Sequence, residues 1–277
     1  MITSVSLGDT VLTNSKRALL SIKNLAFPEV SYTSAKRGGF IGQTIRGGNI
    51  VAPKFGMEWM IFGSSFSDLA TERDTFLSLL GEVISAGGKT LKINKSNSVN
   101  IQTDIKRIGV TGDIAAEDGL SGTLLIDVEA EYPFLLSQTL NSEDSGIYSG
   151  GGMAIPMAIP MSMAEGGNNE MVLANAGTYK SYPVLTFYGP LNTPSITNLT
   201  TGETLNINYN IGASNYLVVD TLLRTALLYS GGVNMRQYLS GDFITLAKGN
   251  NILHLSAASY NTTGRVNVSW RDAYLGL

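Results

Sequence analysis

The reading of the fold turns on TNLTTGETLNINYNIGASNYLVVDT, residues 197–221. A turn signal, Thr201-Gly202-Glu203, opens a run that alternates without a slip. Leu205, Ile207, Tyr209 and Ile211 fall on one side; Thr204, Asn206, Asn208 and Asn210 fall on the other. Successive side chains of a strand point to opposite faces, so period two predicts a strand with one apolar and one amide-rich side. Gly212-Ala213-Ser214-Asn215 breaks the chain, and a second extended run follows. The use of the amide-rich side is the question that the rest of the chain has to answer.

Working outward, the chain from Tyr179 onward is all strand and turn. Runs at 183–188, 203–211, 216–220, 224–229, 243–246, 251–255 and 265–271 are separated by GPLNTP, SGG and KGNN. Short strands at such spacing predict a β-sandwich. In the last run Val266, Val268 and Trp270 alternate with Arg265, Asn267, Ser269 and Arg271.

The first half is also mainly β. Extended pieces are expected at 19–22, 30–33, 49–53 and 56–62, with a glycine-rich basic loop at 36–42. One helix is expected over 67–86, capped by Ser67 or Asp68. Its apolar stripe is Leu69, Phe76, Leu77, Leu80, Val83 and Ile84, and Gly87-Gly88 stop it. Strands follow at 90–94, 99–109 and 123–132, the last ended by Pro133. The composition then changes to glycine runs and the tandem AIPMAIPM, residues 154–161. Prolines at this spacing exclude a regular helix or strand. The expected division is a β-rich domain with one helix at 1–136, a connector or long loop at 137–174, and a β-sandwich at 175–277. The methionine-rich stretch within 143–170 reads either as an adaptable contact segment for a partner's groove or as a loop packed on its own chain.

Composition narrows the function classes. The chain has 277 residues, 43% hydrophobic and only 15% charged, with 31 glycines. Soluble monomers average about a quarter charged residues, so a surface partly covered by partners is expected. The net charge of −3 offers no global attraction to nucleic acid. There is no cysteine, which removes disulfides and thiolate chemistry. Met1–Val5 lacks the basic start of a secretory signal, and no apolar run reaches the ~18 residues of a membrane span. The chain is expected to be made and to be soluble in a cytoplasm, with no membrane insertion.

Catalytic chemistry finds little to use. The one histidine, His254, lies in a strand with no nucleophile signal beside it. One histidine and no cysteine argue against a zinc site. GEVISAGGKT, residues 81–90, has too many residues between Gly81 and Gly88-Lys89-Thr90 for a phosphate loop, and lies between helix and strand in the wrong order. No catalytic residue, cofactor or metal is therefore expected. Asp127, Glu129 and Glu131 share one face of one strand. They read as a solvated face paired by Lys92 or Lys106, or as paired carboxylates for a metal or for acid–base chemistry. Asn-X-Ser/Thr sequons occur at Asn198, Asn261 and Asn267 and carry no weight without a signal peptide.

Several segments, taken in order, resemble one family. NAGTYKSYPVLTFYGP (175–190), PSITNLTTGETL (194–205), YLVVDTLLRTALLYSGG (216–232) and FITLAKGNNILHL (243–255) are similar to the C-terminal domain of siphophage distal tail (Dit) proteins. Lys248 stands where that family usually has proline. Arg73, TLKINKSN (90–97) and IDVEAEYPF (126–134) resemble its N-terminal domain, while Met153–Met171 matches none of it. The resemblance implies a structural subunit of the virion tail tip, assembled in the host cytoplasm. The N-terminal domain would form a ring, typically of six copies, through which DNA passes without specific binding, and the acidic face of Asp127, Glu129 and Glu131 would line its lumen. The C-terminal domain would be a galectin-like sandwich that docks other proteins. Partners would be further copies, the tail tube protein and tail tip or receptor-binding proteins. The outward asparagines of 204–210 would then meet solvent or another tail protein, since an amide donates and accepts without the desolvation cost of a charge. The alternative is a carbohydrate-binding adhesion module for the host surface. The sugar motif of galectins is not matched, because Leu255 follows His254 and Arg271 follows Trp270.

Overall fold

The computed structural model describes residues 2–24, 30–36, 43–87, 89–96, 99–115, 120–146, 169–229, 231–258 and 263–276, with 32–36, 43–49 and 112–115 as backbone only. The tandem AIPMAIPM and the loop residues 37–42 lie outside the described residues. The chain divides into two compact units, Met1–Gln138 with Tyr274–Leu277, and Thr139–Ala273.

The first unit is a twisted antiparallel sheet with one helix. Its strands are β1 (Ile2–Leu7), β2 (Thr10–Val11), β3 (Arg17–Lys23), β4 (Val30–Lys36), β5 (Gln43–Ile50), β6 (Lys54–Phe62), β7 (Thr90–Lys95), β8 (Ile101–Ala115), β9 (Ser121–Ala130) and β10 (Leu135–Ser137), with helix α1 (Phe66–Ser85) after β6. The order across the sheet is β2-β1-β7-β8-β9-β6-β3, with β10 beside β8 and β4–β5 a separate hairpin. Alternation decides the faces. Leu124, Ile126, Val128 and Ala130 of β9 and Phe55, Met57, Trp59 and Ile61 of β6 are all buried. The helix covers that apolar face with Leu69, Phe76 and Leu80, and the Phe76 ring meets Trp59 at 5.0 Å. Burying a side chain of this size contributes about 2–3 kcal/mol.

The helix begins earlier than the sequence suggests. Ser65 is its N-cap, accepting the Asp68 amide at 3.2 Å, while the Asp68 carboxylate turns back to the Ser64 amide at 2.7 Å and to Lys16 Nζ at 2.8 Å. Ile84, expected on the apolar stripe, is 45% exposed because it falls in the last turn, past the sheet contact. Gly87, at φ 81°, takes the left-handed conformation that ends the helix.

The second unit is a sandwich of two antiparallel sheets. One comprises β11 (Asn141–Gly146), β13 (Val184–Tyr188), β18 (Tyr216–Asp220), β19 (Thr225–Leu228), β20 (Val233–Asn234) and β23 (Arg265–Trp270), in the order β11-β23-β13-β18-β19-β20. The other comprises β12 (Glu170–Asn175), β15 (Ser195–Asn198), β16 (Thr204–Ile207), β21 (Leu239–Gly241) and β22 (Gly249–Ser256), in the order β12-β22-β15-β16-β21. A small pair, β14 (Leu191–Asn192) and β17 (Asn210–Ile211), closes one corner. Leu185, Phe187, Leu217, Val219, Val266 and Val268 face Leu173, Ile196, Leu205, Leu253 and Leu255 in one core. Both ends of the stretch expected to be a connector are strands of this sandwich: β11 pairs with β23, and β12 with β22.

The decisive stretch alternates as expected. Leu205, Ile207 and Ile211 are buried, and Asn208 and Asn210 are exposed. It is nevertheless two strands rather than one. The ladder breaks at Asn208-Tyr209, where the Asn208 amide donates to Tyr238 O at 2.9 Å. β16 stays in the five-stranded sheet and β17 crosses to β14. One alternating run therefore turns a sheet corner without losing its inward face.

Candidate functional site

The acidic face lies on β9, and it is less acidic than its sequence. Asp127 is exposed and has no ion-pair partner among the described residues. Glu129 is held between two cations, Lys106 Nζ at 3.4 Å and Lys54 Nζ at 3.7 Å. Glu131 lies beyond the strand end at Ala130, where its amide donates to Asp104 O at 2.7 Å. Lys92, the other cation expected to pair here, reaches Asp9 at 3.3 Å instead. Asp127 and Glu129 border a half-open cleft of about 390 Å³ with Lys54 and Arg107, floored by Gly56 and Gly109. The structure thus brings Asp127 and Glu129 together among cations and leaves Glu131 apart. The β8–β9 pairing that sets Arg107 opposite Glu129 is not visible in chain order.

The two end strands of this sheet form a second feature. β2 and β3 each have one paired neighbour in the sheet order. Each also exposes an apolar side chain: Val11 on β2 is 56% exposed and Leu20 on β3 is 50% exposed. Leu20 stands at an irregularity in register between Leu19 and Ser21. Unpaired N–H and C=O groups along such edges are ready to pair with another strand.

In the second unit the segments that carry the resemblance turn out to be pins of the fold. Asn175, Asn198 and Asn251 are buried, and each amide is saturated. Asn198 Nδ2 donates to Thr245 O at 2.7 Å and Asn251 Oδ1 at 3.2 Å, and its Oδ1 accepts the Thr200 amide at 2.9 Å. Asn251 Nδ2 donates to Ala247 O at 2.8 Å, and its Oδ1 accepts the Ala247 amide at 2.8 Å. Asn175 Nδ2 reaches Tyr179 O at 2.7 Å and Leu246 O at 3.1 Å. Glu203 accepts the Thr245 amide, and Asp220 takes the amides of Leu222 and Leu223 at 2.9 and 2.8 Å. At Gly177 a Cβ would stand 2.0 Å from Ala273 O, so only glycine fits. Burial of Asn198 also removes that sequon from any glycan.

His254 and Trp270 do not meet. His254 is on β22 in one sheet, 3.9 Å from Glu170, and Trp270 is on β23 in the other. The Trp270 indole is buried and donates to Ala174 O at 3.1 Å. Among the described residues no cluster of His, Asp or Glu could hold a metal, and no helix is long and apolar enough to cross a membrane.

With this geometry in place, comparison with known proteins becomes specific. Residues 176–274 match the family described as siphovirus-type tail component, C-terminal domain. No curated protein matches the sequence. Among solved structures, the chain is similar to the Dit protein (gp 19.1) of phage SPP1, described as a paradigm of the hub adsorption apparatus in phages infecting Gram-positive bacteria. The TM-score is 0.63 at 12% identity, covering 98% of this chain and 99% of that one. Chains of the phage P2 baseplate in its activated conformation, with Ca and with Sr, give TM-scores of 0.44 and 0.47 at 13% and 12% identity. They cover 94% and 96% of this chain and 92% and 96% of theirs, and are too distant to carry argument. The C-terminal unit therefore matches the siphovirus-type tail component family over residues 176–274, and over nearly its whole length the chain has the fold of the SPP1 Dit protein.

Proposed function

We propose that this chain is a non-enzymatic structural subunit of a siphophage tail tip. It forms a ring that joins the tail tube to the tip or receptor-binding apparatus, and its place in the virion follows assembly in the host cytoplasm. The observation that carries this reading is the family match over 176–274 on a chain whose whole fold follows a Dit protein. The first unit supplies a physical route to closure. Rings are built from head-to-tail contacts between unlike surfaces. The β2 and β3 edges are unlike, lie at opposite ends of one sheet, and expose Val11 and Leu20. Native mass spectrometry of the purified chain, with and without tail tube protein, tests the ring. Six copies are expected, reduced to monomer by Leu20→Asp. A monomer under all conditions, with no ring in assembled tails, overturns the proposal.

On the same reading, the β9 face that carries Asp127 and Glu129, with Glu131 just past its end, lines the channel, and DNA passes without specific binding. Lys54, Lys106 and Arg107 bring that face close to neutral, and a near-neutral wall neither holds phosphates nor strongly repels them. Changing the three acids to lysine is expected to leave tails assembled and to slow genome delivery, most at low salt. Unchanged delivery overturns the channel assignment.

A further inference from the structure

A second cleft of the first unit opens where α1 ends. Its floor is apolar: Leu7 of β1 and Ile105 of β8 are buried, Ile108 is half-buried, and Ile84 in the last turn of α1 is 45% exposed. Two departures from regular structure shape it. Gly87, at φ 81°, turns the chain away from the helix, and the space beside it is open, with no atom within 4 Å of where a Cβ would stand. β8 is irregular in register between Ile105 and Arg107. The Ile105 amide donates to Lys89 O at 2.8 Å, which fixes Lys89 beside that irregularity. The cleft holds about 340 Å³. Small-molecule sites run from about 300 to 1,000 Å³.

The charged groups at this cleft are all cations. Lys89, Lys106 and Arg107 line it, and among the described residues no carboxylate does. Lys106 is held by Glu129 at 3.4 Å, and Glu129 also takes Lys54 at 3.7 Å. Arg107 stands opposite Glu129 in register, yet neither Arg107 nor Lys89 has an ion-pair partner among the described residues. Lys89 follows the end of α1, whose last carbonyls favour a cation. That accounts for Lys89 alone. It does not account for an unpaired guanidinium at the same cleft, or for Ile84 left open beside an apolar floor.

We propose that this cleft binds a small amphipathic acid. An unbranched alkyl tail lies on Leu7, Ile105 and Ile108 against Ile84, and the anionic head meets Lys89 and Arg107. Each methylene taken out of water tightens binding by about fourfold, so the floor rewards a tail. Two cations beside a low-dielectric surface attract an anion more strongly than they would in open water. A bare phosphate would leave the floor unused, and a neutral chain would leave the guanidinium unused. A concave cleft takes the free acid rather than a lipid whose tail is held in a bilayer. The site stands on the first unit alone and does not depend on the ring.

The test is calorimetric titration of the full chain with decanoate, hexanoate and decyltrimethylammonium, and with vesicles containing phosphatidylglycerol. Saturable binding of decanoate is expected, with hexanoate about tenfold weaker or worse. Decyltrimethylammonium, with the same tail and the opposite charge, should not saturate. Decanoate should raise the melting temperature of the first unit, as a ligand of the folded state does. Lys89→Glu should weaken decanoate binding about tenfold and Arg107→Gln several-fold. Ile84→Asn should narrow the gap between decanoate and hexanoate. Lys54→Gln, a cation of the neighbouring cleft, should change nothing. The proposal is overturned by no saturable binding of decanoate up to about 5 mM. It is equally overturned if decyltrimethylammonium binds as well, if decanoate lowers the melting temperature, if Lys89→Glu binds as the parent does, or if Lys54→Gln loses as much. Vesicle binding without decanoate binding overturns it in favour of a membrane lipid.

Discussion

The two units are held together by different chemistry. The first is laced with ion pairs: Lys16–Asp68 at 2.8 Å, Arg17–Glu72 at 3.0 Å, Lys23–Glu58 at 3.2 Å, Lys92–Asp9 at 3.3 Å, and Glu129 between Lys54 and Lys106. Among the described residues of the second unit the ion pair is His254–Glu170, at 3.9 Å. Its buried polar groups are instead neutral: the amides of Asn175, Asn198 and Asn251 and the hydroxyls of Ser181, Thr221 and Thr245. Neutral hydrogen bonds in a dry interior are blind to salt and to mild acid; exposed carboxylate pairs are not. The first unit should therefore respond to salt and acid more strongly than the second, whose carboxylate contacts are those of Glu203 and Asp220 to neutral donors.

The largest effect expected is at Asn251. Asn251→Ala strands the Ala247 and Asn198 polar groups in the interior and should cost the second unit about 3 kcal/mol. In urea melts followed by calorimetry, only the transition of that unit should move. A shift of both transitions would break the contrast.

Arg17 is the counterpart in the first unit. It is buried beside Glu72, 5.2 Å from the Phe76 ring centre. Its Nε lies 3.0 Å from Glu72 Oε1 without the alignment of a true hydrogen bond, and its Nη1 has no protein acceptor. Arg17→Ala leaves a mostly buried carboxylate unpaired and should cost about 2 kcal/mol. Arg17→Met with Glu72→Met should recover most of that loss; no recovery would show that the charges themselves matter.

Acid gives a smaller and graded effect. The Lys16 ammonium, then the Ser64 amide, hold the Asp68 carboxyl well below its ordinary 3.8. The Ser21 hydroxyl, then Lys23, hold Glu58 below its ordinary 4.5. Lowered folded-state values mean that the stabilisation is complete above about pH 4.5 and fades as pH falls through 3.8 and below. The first unit's melting temperature should fall over that window more steeply than the second's. Parallel curves would overturn the assignment. Smallest of all, Lys23→Ala removes an exposed pair and should shift the melting curve barely measurably, the shift vanishing in 1 M salt.

Alternation made the inward faces legible. Leu124 to Ala130 and Leu205 to Ile211 could be placed because burial on one side leaves a period-two trace. What failed were features set by tertiary partners. The corner at Asn208-Tyr209 depends on Tyr238 and β14, and leaves no trace in an unbroken alternation. β11 reads Asn-Ser-Glu-Asp-Ser-Gly, a loop by composition, and is a strand because β23 pairs with it. The acids of β9 were legible as a face, but their cations arrive from β6 and β8. Tyr188, Tyr216 and Tyr229 are the extreme case: their rings, 5.4 and 4.5 Å apart, become neighbours only through sheet register.

The first and last strands of the second unit are partners of each other. β11 and β23 run antiparallel from Asn141 opposite Trp270 to Gly146 opposite Arg265. The chain leaves the first unit after Gln138 and returns to it at Tyr274. The sandwich is therefore a cassette spliced into its host at two adjacent points, not a bead hung on a tail. A cassette with neighbouring ends can be exchanged whole by recombination, because the recipient has only to bridge the same narrow gap. Under tension applied through those two ends, the paired strands separate bond by bond like a zipper, rather than sharing the load along their length. A module with neighbouring ends can be replaced, and can yield under load, without breaking the sheet of the unit it is spliced into.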